Sequence, residues 1–248
     1  MHITPSELPA RRPVIGIDTR SDAELAEGVR CGDESAFETL MRRHNRLLFR
    51  SARGVVDDDA EAQDVVQETY LRAFTTLHSF RGDCALGTWL ARIAINLALD
   101  AQRKRGRAVQ LDDTQDLGIE PTLEHWVAFN APSADSPDTQ AEGSQMRALL
   151  QRTIDGLPVI YRSVFILRAV EEMSVNETAS CLQVSDAVVK TRYLRARSML
   201  RDALGARVDG HAPQVYAFAG ARCDTVVAYV LAALGRERGL WHAFRPRQ

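Results

Sequence analysis

The stretch that most restricts what this chain can become is SVNETASCLQVSDAVVKTRYLRARSML, Ser174 to Leu200. It reads as two short helices joined by a tight turn, the second one basic. Ser174 caps the first helix, and Glu177 three residues on completes a capping box. Ser185 caps the second. Along that second helix Val189, Tyr193, Ala196 and Leu200 recur at helical spacing and define one buried stripe. The other side carries Lys190, Thr191, Leu194 and Arg195, with Arg192, Arg197 and Arg201 on the flanks. An arginine-rich amphipathic helix taken alone is often only solvated surface. Two caps, a short turn and the apolar stripe together select a helix-turn-helix whose second helix is suited to a DNA major groove. The first helix ends at Gln183, where glycine would meet a left-handed conformation with least strain.

Strand-like alternation of β-branched residues is almost absent, so the fold class is all-α. The 248 residues suffice for one large domain or two small ones. A formal net charge of −2 looks wrong for a nucleic-acid binder, but the average hides segregation. Acids gather at Asp57, Asp58, Asp59, Glu61 and Asp64, and bases at 103–107 and 190–201. Local sign matters more than the sum when a surface meets phosphates. The four cysteines and six histidines are dispersed without metal-binding or disulfide spacing, so no metal and no cofactor is expected. No signal peptide opens the chain, and the apolar stretch 214–234 is interrupted by Arg222 and Asp224. A cytoplasmic protein without membrane insertion is the expectation.

In chain order, residues 1–20 hold three prolines and read as a disordered leader. Ser21 and Glu24 form a second capping box, opening a helix with Leu25 and Val29 inward. Asp33 starts a longer helix with Phe37, Leu40, Met41, His44, Leu47 and Leu48 on one side. Asp59 is the expected cap of a third helix, on which Asp64, Gln67, Glu68 and Arg72 form a polar row. A loop at Arg81–Asp83 leads to a helix from about Leu86 to Arg105, containing Trp89 and Asn96 and ending in Arg103, Lys104, Arg105 and Arg107. Asn96 offers a base edge both a donor and an acceptor. Cations at a helix C-terminus suit the dipole, but this cluster exceeds what capping needs and suits phosphates. Residues 108–140 are an acidic, proline-bearing linker, long enough to let two domains sit apart. Helices at about 142–154 and from Pro158 to Glu171 precede the helix-turn-helix. Beyond a break at Gly210–Pro213, an apolar helix with Val226, Val227, Val230, Leu231 and Leu234 is expected to pack on the second domain. It would act there as a stabilising cap or as a regulator of access to the DNA-reading helix.

In combination and order, DVVQETYLRAF, FRGDCALGTWLARIAINLALD, LPVIYRSVFILR and SVNETASCLQVSDAVVKTRYLRAR resemble the extracytoplasmic-function group of bacterial RNA polymerase sigma factors, over about Asp22 to Leu204. The resemblance implies a region 2 domain at 21–107, a linker at 108–140, a region 4 domain at 141–206 and a C-terminal extension at 207–248. It implies core RNA polymerase as partner, through its β′ clamp helices and β flap, together with promoter DNA. It further implies an anti-sigma factor, which some members lack. Asp64, Gln67 and Glu68 match the clamp-helix docking surface. Arg81, Trp89, Asn96, Arg103, Lys104 and Arg105 fall in the part that engages and opens the minus-10 element, Asn96 at the position associated with a flipped base. Lys190, Thr191, Arg192, Leu194 and Arg195 fall in the part that reads the minus-35 element. The implied function is promoter recognition and melting for a stress or envelope-response gene set. The alternative is a free-standing helix-turn-helix regulator that does not bind polymerase, but a single-strand pocket around Asn96 has no use there. A hydrolase built on the carboxylates of 57–68 lacks a neighbouring histidine, phosphate loop or metal spacing.

Overall fold

In the computed structural model, residues 18–106, 148–204, 216, 218 and 220–236 are described. Among them every regular element is helical. The leader up to residue 17 and the whole expected linker lie outside the described residues, as do Arg107 and Gly210–Pro213. Asp18 and Arg20, placed by the sequence reading in the leader, are bonded in. Arg20 bridges Asp18 and Asp33, and Thr39 donates to Asp18.

Helix α1 (Asp22–Arg30) opens on the expected capping box, both halves formed between Ser21 and Glu24. Gly32 follows in the left-handed region at φ 81° and turns the chain into α2 (Glu34–Arg53), capped by Asp33. Helix α3 (Asp59–Thr76) is capped by Asp58, one residue before the expected Asp59. The Asp58 carboxylate takes both the Ala60 and Glu61 amides, which leaves Asp59 free to pair with arginines. Helix α4 (Leu86–Lys104) crosses α2 and α3. Phe37 lies between Tyr70 and Phe74, and the Tyr70 hydroxyl donates to the Met41 carbonyl, so the one polar atom of that ring is satisfied.

The second half begins with α5 (148–155) and α6 (Val159–Phe165), which continues through a π-helical turn at Ile166–Val170. Helices α7 (Val175–Leu182) and α8 (Asp186–Leu204) form the helix-turn-helix. The Ser174–Glu177 capping box is complete, and the Val188 amide donates to Ser185. Gln183 holds the turn at φ 57°, the strained position its sequence context pointed to. Helix α9 (Ala221–Arg236) closes the described chain.

The linker's length permits separation, yet the two halves are packed together here. Arg162 of α6, 1% exposed, reaches back to the end of α2. It donates to the Gly54, Val55 and Asp155 carbonyls and lies 2.7 Å from the Asp57 carboxylate. Buried Arg50 pairs with the partly buried Glu171 at 2.7 Å, and Arg53 pairs with Asp155 at 2.7 Å. Helix α7 lies against α4, where Thr88 donates to Glu177 and the Cys181 thiol donates to the Thr88 carbonyl. The apolar core therefore runs without a break from the first half into the second.

The tail helix was expected on the second domain. Instead α9 seats on α2 and α3 of the first. Val226, Val227, Val230 and Leu234 are buried there, and the flanks are matched in charge: Asp224 to Arg42 at 2.7 Å and Arg222 to Asp59 at 2.8 Å. Complementary charge at both edges of an apolar stripe fixes which surface the helix chooses, information the tail's own sequence does not carry.

Candidate nucleic-acid and polymerase interface

The acids of the first half divide by structure. Asp57, Asp59 and Glu61 are engaged by Arg162, by Arg53 and Arg222, and by Arg105. Asp64 and Glu68, one turn apart on α3, are exposed, with Gln67 half-buried between them, and no ion pair holds either acid among the described residues. What sequence shows as one acidic patch is thus an internal charge network plus a short free row.

On the minus-10 side the expected residues separate. Arg81 stands exposed on the loop before α4, next to Gly82 at φ 80°. Asn96 is half-buried on α4; Arg103 and Lys104 are exposed at its end, Arg103 held by Asp100 at 2.9 Å. Arg105 is also exposed but lies 2.7 Å from the buried Glu61, so it ties α4 to α3 as well as facing solvent. Trp89 is only 8% exposed and packs 5.4 Å from Phe80. In this form it props the 80–85 loop from beneath and offers no face to a base.

Helix α8 presents Lys190 exposed, with Thr191, Leu194 and Arg195 half-exposed. Arg195 donates to the Tyr161 hydroxyl, which orients its guanidinium along α6. Arg192 departs from the sequence reading: it is 1% exposed and belongs to the buried side. From Val189, both residue 192 and residue 193 fall on the same helical face. The sequence reading gave that place to Tyr193, which is half-buried, stacks with Phe165 and lies beneath the guanidinium groups of Arg168 and Arg197. A buried guanidinium sets the position of the helix and does not touch a base.

Sequence reasoning missed the arginines that join the halves: Arg50, Arg53 and Arg162. A periodicity reading scores arginine as polar and sends it to solvent. The one available signal was Arg162 inside the apolar run VIYRSVF, on the same face as Val159 and Phe165.

Comparison with known proteins accords with this architecture. Residues 40–108 match Sigma-70 region 2, and residues 147–200 match Sigma-70, region 4. The RNA polymerase sigma-H factor of Pseudomonas aeruginosa is 34% identical over 187 residues, which cover 74% of this chain and 93% of that protein. The ECF RNA polymerase sigma factor SigM of Mycobacterium tuberculosis is 34% identical, with 77% of this chain and 88% of that protein covered. The ECF RNA polymerase sigma-E factor of Haemophilus influenzae is 31% identical, covering 73% of this chain and 94% of the relative. Among solved structures, CnrH in complex with the cytosolic domain of CnrY aligns at a TM-score of 0.51 and 26% identity, over 75% of this chain and 98% of that one. Two helical DNA-binding units in this order define a transcription-initiation protein. The chain belongs to the sigma-70 family of RNA polymerase sigma factors, in its extracytoplasmic-function group. The segment beyond residue 200 lies outside both matched regions.

Proposed function

We propose that this chain binds core RNA polymerase through Asp64, Gln67 and Glu68, and then directs it to promoters read at two separated elements. In this reading Arg81, Asn96, Arg103, Lys104 and Arg105 engage the minus-10 element, with Trp89 supporting the loop that carries Arg81. Asn96 receives a base drawn out of the stack, a step that costs a few kcal/mol and is recovered in the pocket. Lys190, Thr191, Leu194 and Arg195 read the minus-35 element, through cation-to-guanine and apolar-to-thymine contacts. Arg192 acts from behind, setting the pose of α8. The protein is then a non-enzymatic, cytoplasmic specificity subunit serving a stress or envelope-response gene set, and an anti-sigma factor is its natural regulator. Its working boundaries are region 2 at 21–107, the linker at 108–140, region 4 at 141–206 and the extension at 207–248.

The observation that carries the docking assignment is that Asp64 and Glu68 are exposed and hold no ion pair among the described residues, whereas Asp57, Asp59 and Glu61 are each paired with arginine. Carboxylates left unpaired on an otherwise neutralised surface are available to a basic partner. The test is co-elution of the purified chain with bacterial core polymerase, with an Asp64→Arg/Glu68→Arg variant beside it. Co-elution by the parent and its loss in the variant is the expected result. Failure of the parent to co-elute would return the chain to the free-standing regulator reading.

A further inference from the structure

Tyr216, Phe218 and α9 join the two halves by contacts that neither half supplies alone. Phe218 stacks on Phe49 of α2 with ring centroids 4.4 Å apart, and α9 is held on α2 and α3 by its apolar stripe and two ion pairs. Asn45 adds a hydrogen bond to Cys223. Just before this anchor, Tyr216 is buried with its carbonyl accepting from Arg50 and the Arg53 guanidinium 4.9 Å over its ring. Its hydroxyl donates to Asp155 at 2.7 Å. Asp155 belongs to the second half, at the end of α5, and also receives Arg53. The tail is thus fixed to region 2 and grips region 4 at one carboxylate.

What that grip holds shut is the contact of α4 with α7. Thr88 on α4 and Cys181 on α7 meet there, both buried. Promoter elements centred near minus 10 and minus 35 are ~25 base pairs apart, about 85 Å along B-form DNA. A domain of this size has a radius of gyration of about 12 Å. With α4 touching α7, the chain cannot reach both elements at once.

We propose that Tyr216, Phe218 and α9 form an intramolecular strap that holds this sigma factor in a closed, promoter-incompetent state, and that releasing Tyr216 from Asp155 opens it. The proposal rests on the assignment of α4 and α8 to the two promoter elements. Arg50 and Arg53 are the hub: each binds both the tail and region 4, so loss of the tail also loosens the pairs with Glu171 and Asp155.

Cys181 is a built-in reporter, since its thiol points across the interface at Thr88. The test is maleimide labelling of the full chain, resolved by peptide mass spectrometry, with exposed Cys31 as internal reference. Tyr216→Phe removes only the hydroxyl, Phe218→Ala unseats the tail, and Thr88→Arg wedges α4 from α7 to give the open rate. Losing one hydrogen bond to a charged group shifts such an equilibrium about tenfold. The labelling rate at Cys181 should therefore rise about tenfold in Tyr216→Phe and by at least as much in Phe218→Ala, which removes a buried ring, with the Cys31 rate and helical circular dichroism unchanged. A small-angle scattering radius that grows in step completes the expected result. Fast labelling in Thr88→Arg with parental rates in both tail variants would overturn the strap, as would open-state labelling of the parent chain. Co-elution with core polymerase, run on the same samples, judges the sigma assignment separately. Its absence in every variant would defeat that assignment while leaving the labelling result to decide the strap.

Discussion

Arg192 and Lys190 lie two positions apart on α8 and are chemically alike, yet the structure gives them opposite work. Arg192 is buried and Lys190 is exposed. Removing a buried, engaged guanidinium strands its partners, so Arg192→Ala should cost about 3 kcal/mol, read as a lower urea midpoint. Lys190→Ala should leave stability within about 0.5 kcal/mol. It should instead weaken minus-35 DNA binding and flatten the log affinity against log salt by about one unit. A second residue-scale prediction concerns His44, buried between Gly87 and Asp22. Burial pulls its pKa below the ordinary 6.5, outweighing the opposing pull of Asp22, while Arg43 lowers it further. Below pH 6.5 the unfolded chain therefore binds a proton that the folded chain resists. Stability is full above that pH and falls as the pH drops through it. Glu24, Asp33 and Glu177, whose pKa values lie below the usual carboxylate range because of their cap hydrogen bonds, lose their contributions only in more acid solution. Urea melts at pH 7, 6 and 5 should show the decline, and His44→Asn should flatten it.

Among the elements, caps and apolar stripes were legible in the sequence because they are local: Ser21, Asp33 and Ser174 stand where the pattern put them. The docking of one helix on another was not. Nothing in α9 announces α2 and α3 as its seat, and nothing in α6 announces the end of α2. The candidate site was legible to the same degree. Asp64, Glu68 and Lys190 stand exposed as the pattern has them; Arg192 lies inside because an amphipathic pattern leaves a face ambiguous by one position, and Trp89, which only the resemblance set among the minus-10 residues, lies inside as its apolar run has it. Gly54 shows how close the α2–α6 approach is. A Cβ there would stand 3.2 Å from the Ser163 Cα and 3.0 Å from the Ser51 carbonyl, both backbone atoms that cannot swing away. Gly54→Ala should therefore lower the thermal midpoint, at a cost of about 1–3 kcal/mol. Gly156→Ala is the control: its Cβ would meet nothing nearer than 3.4 Å, and reduced freedom in the unfolded chain should make it neutral or slightly stabilising.

For the whole molecule the question is whether the chain melts as two domains or as one. A linker and two separately matched regions favour two transitions. The packing argues for one, since the apolar core is continuous and Arg162 donates to the carbonyls of Gly54 and Val55 at the end of α2. Removing Arg162 takes a donor from the Gly54 carbonyl, leaves the Val55 carbonyl with only its longer bond from Gln102 and costs Asp57 a close ion pair, which weakens the junction more than it weakens either half. Calorimetry of the full chain should show a single peak whose calorimetric and van't Hoff enthalpies agree. In Arg162→Ala the peak should broaden or split, the ratio of the two enthalpies rising above one, because each half keeps its own caps and aromatic packing after the junction fails. Two peaks in the parent chain would mean that the junction is weaker than both domains, so that polymerase or DNA could separate them without help. One peak means that the junction is at least as stable as the halves it joins, which is the condition under which a tail that bridges Arg50, Arg53 and Asp155 can govern when the protein becomes active.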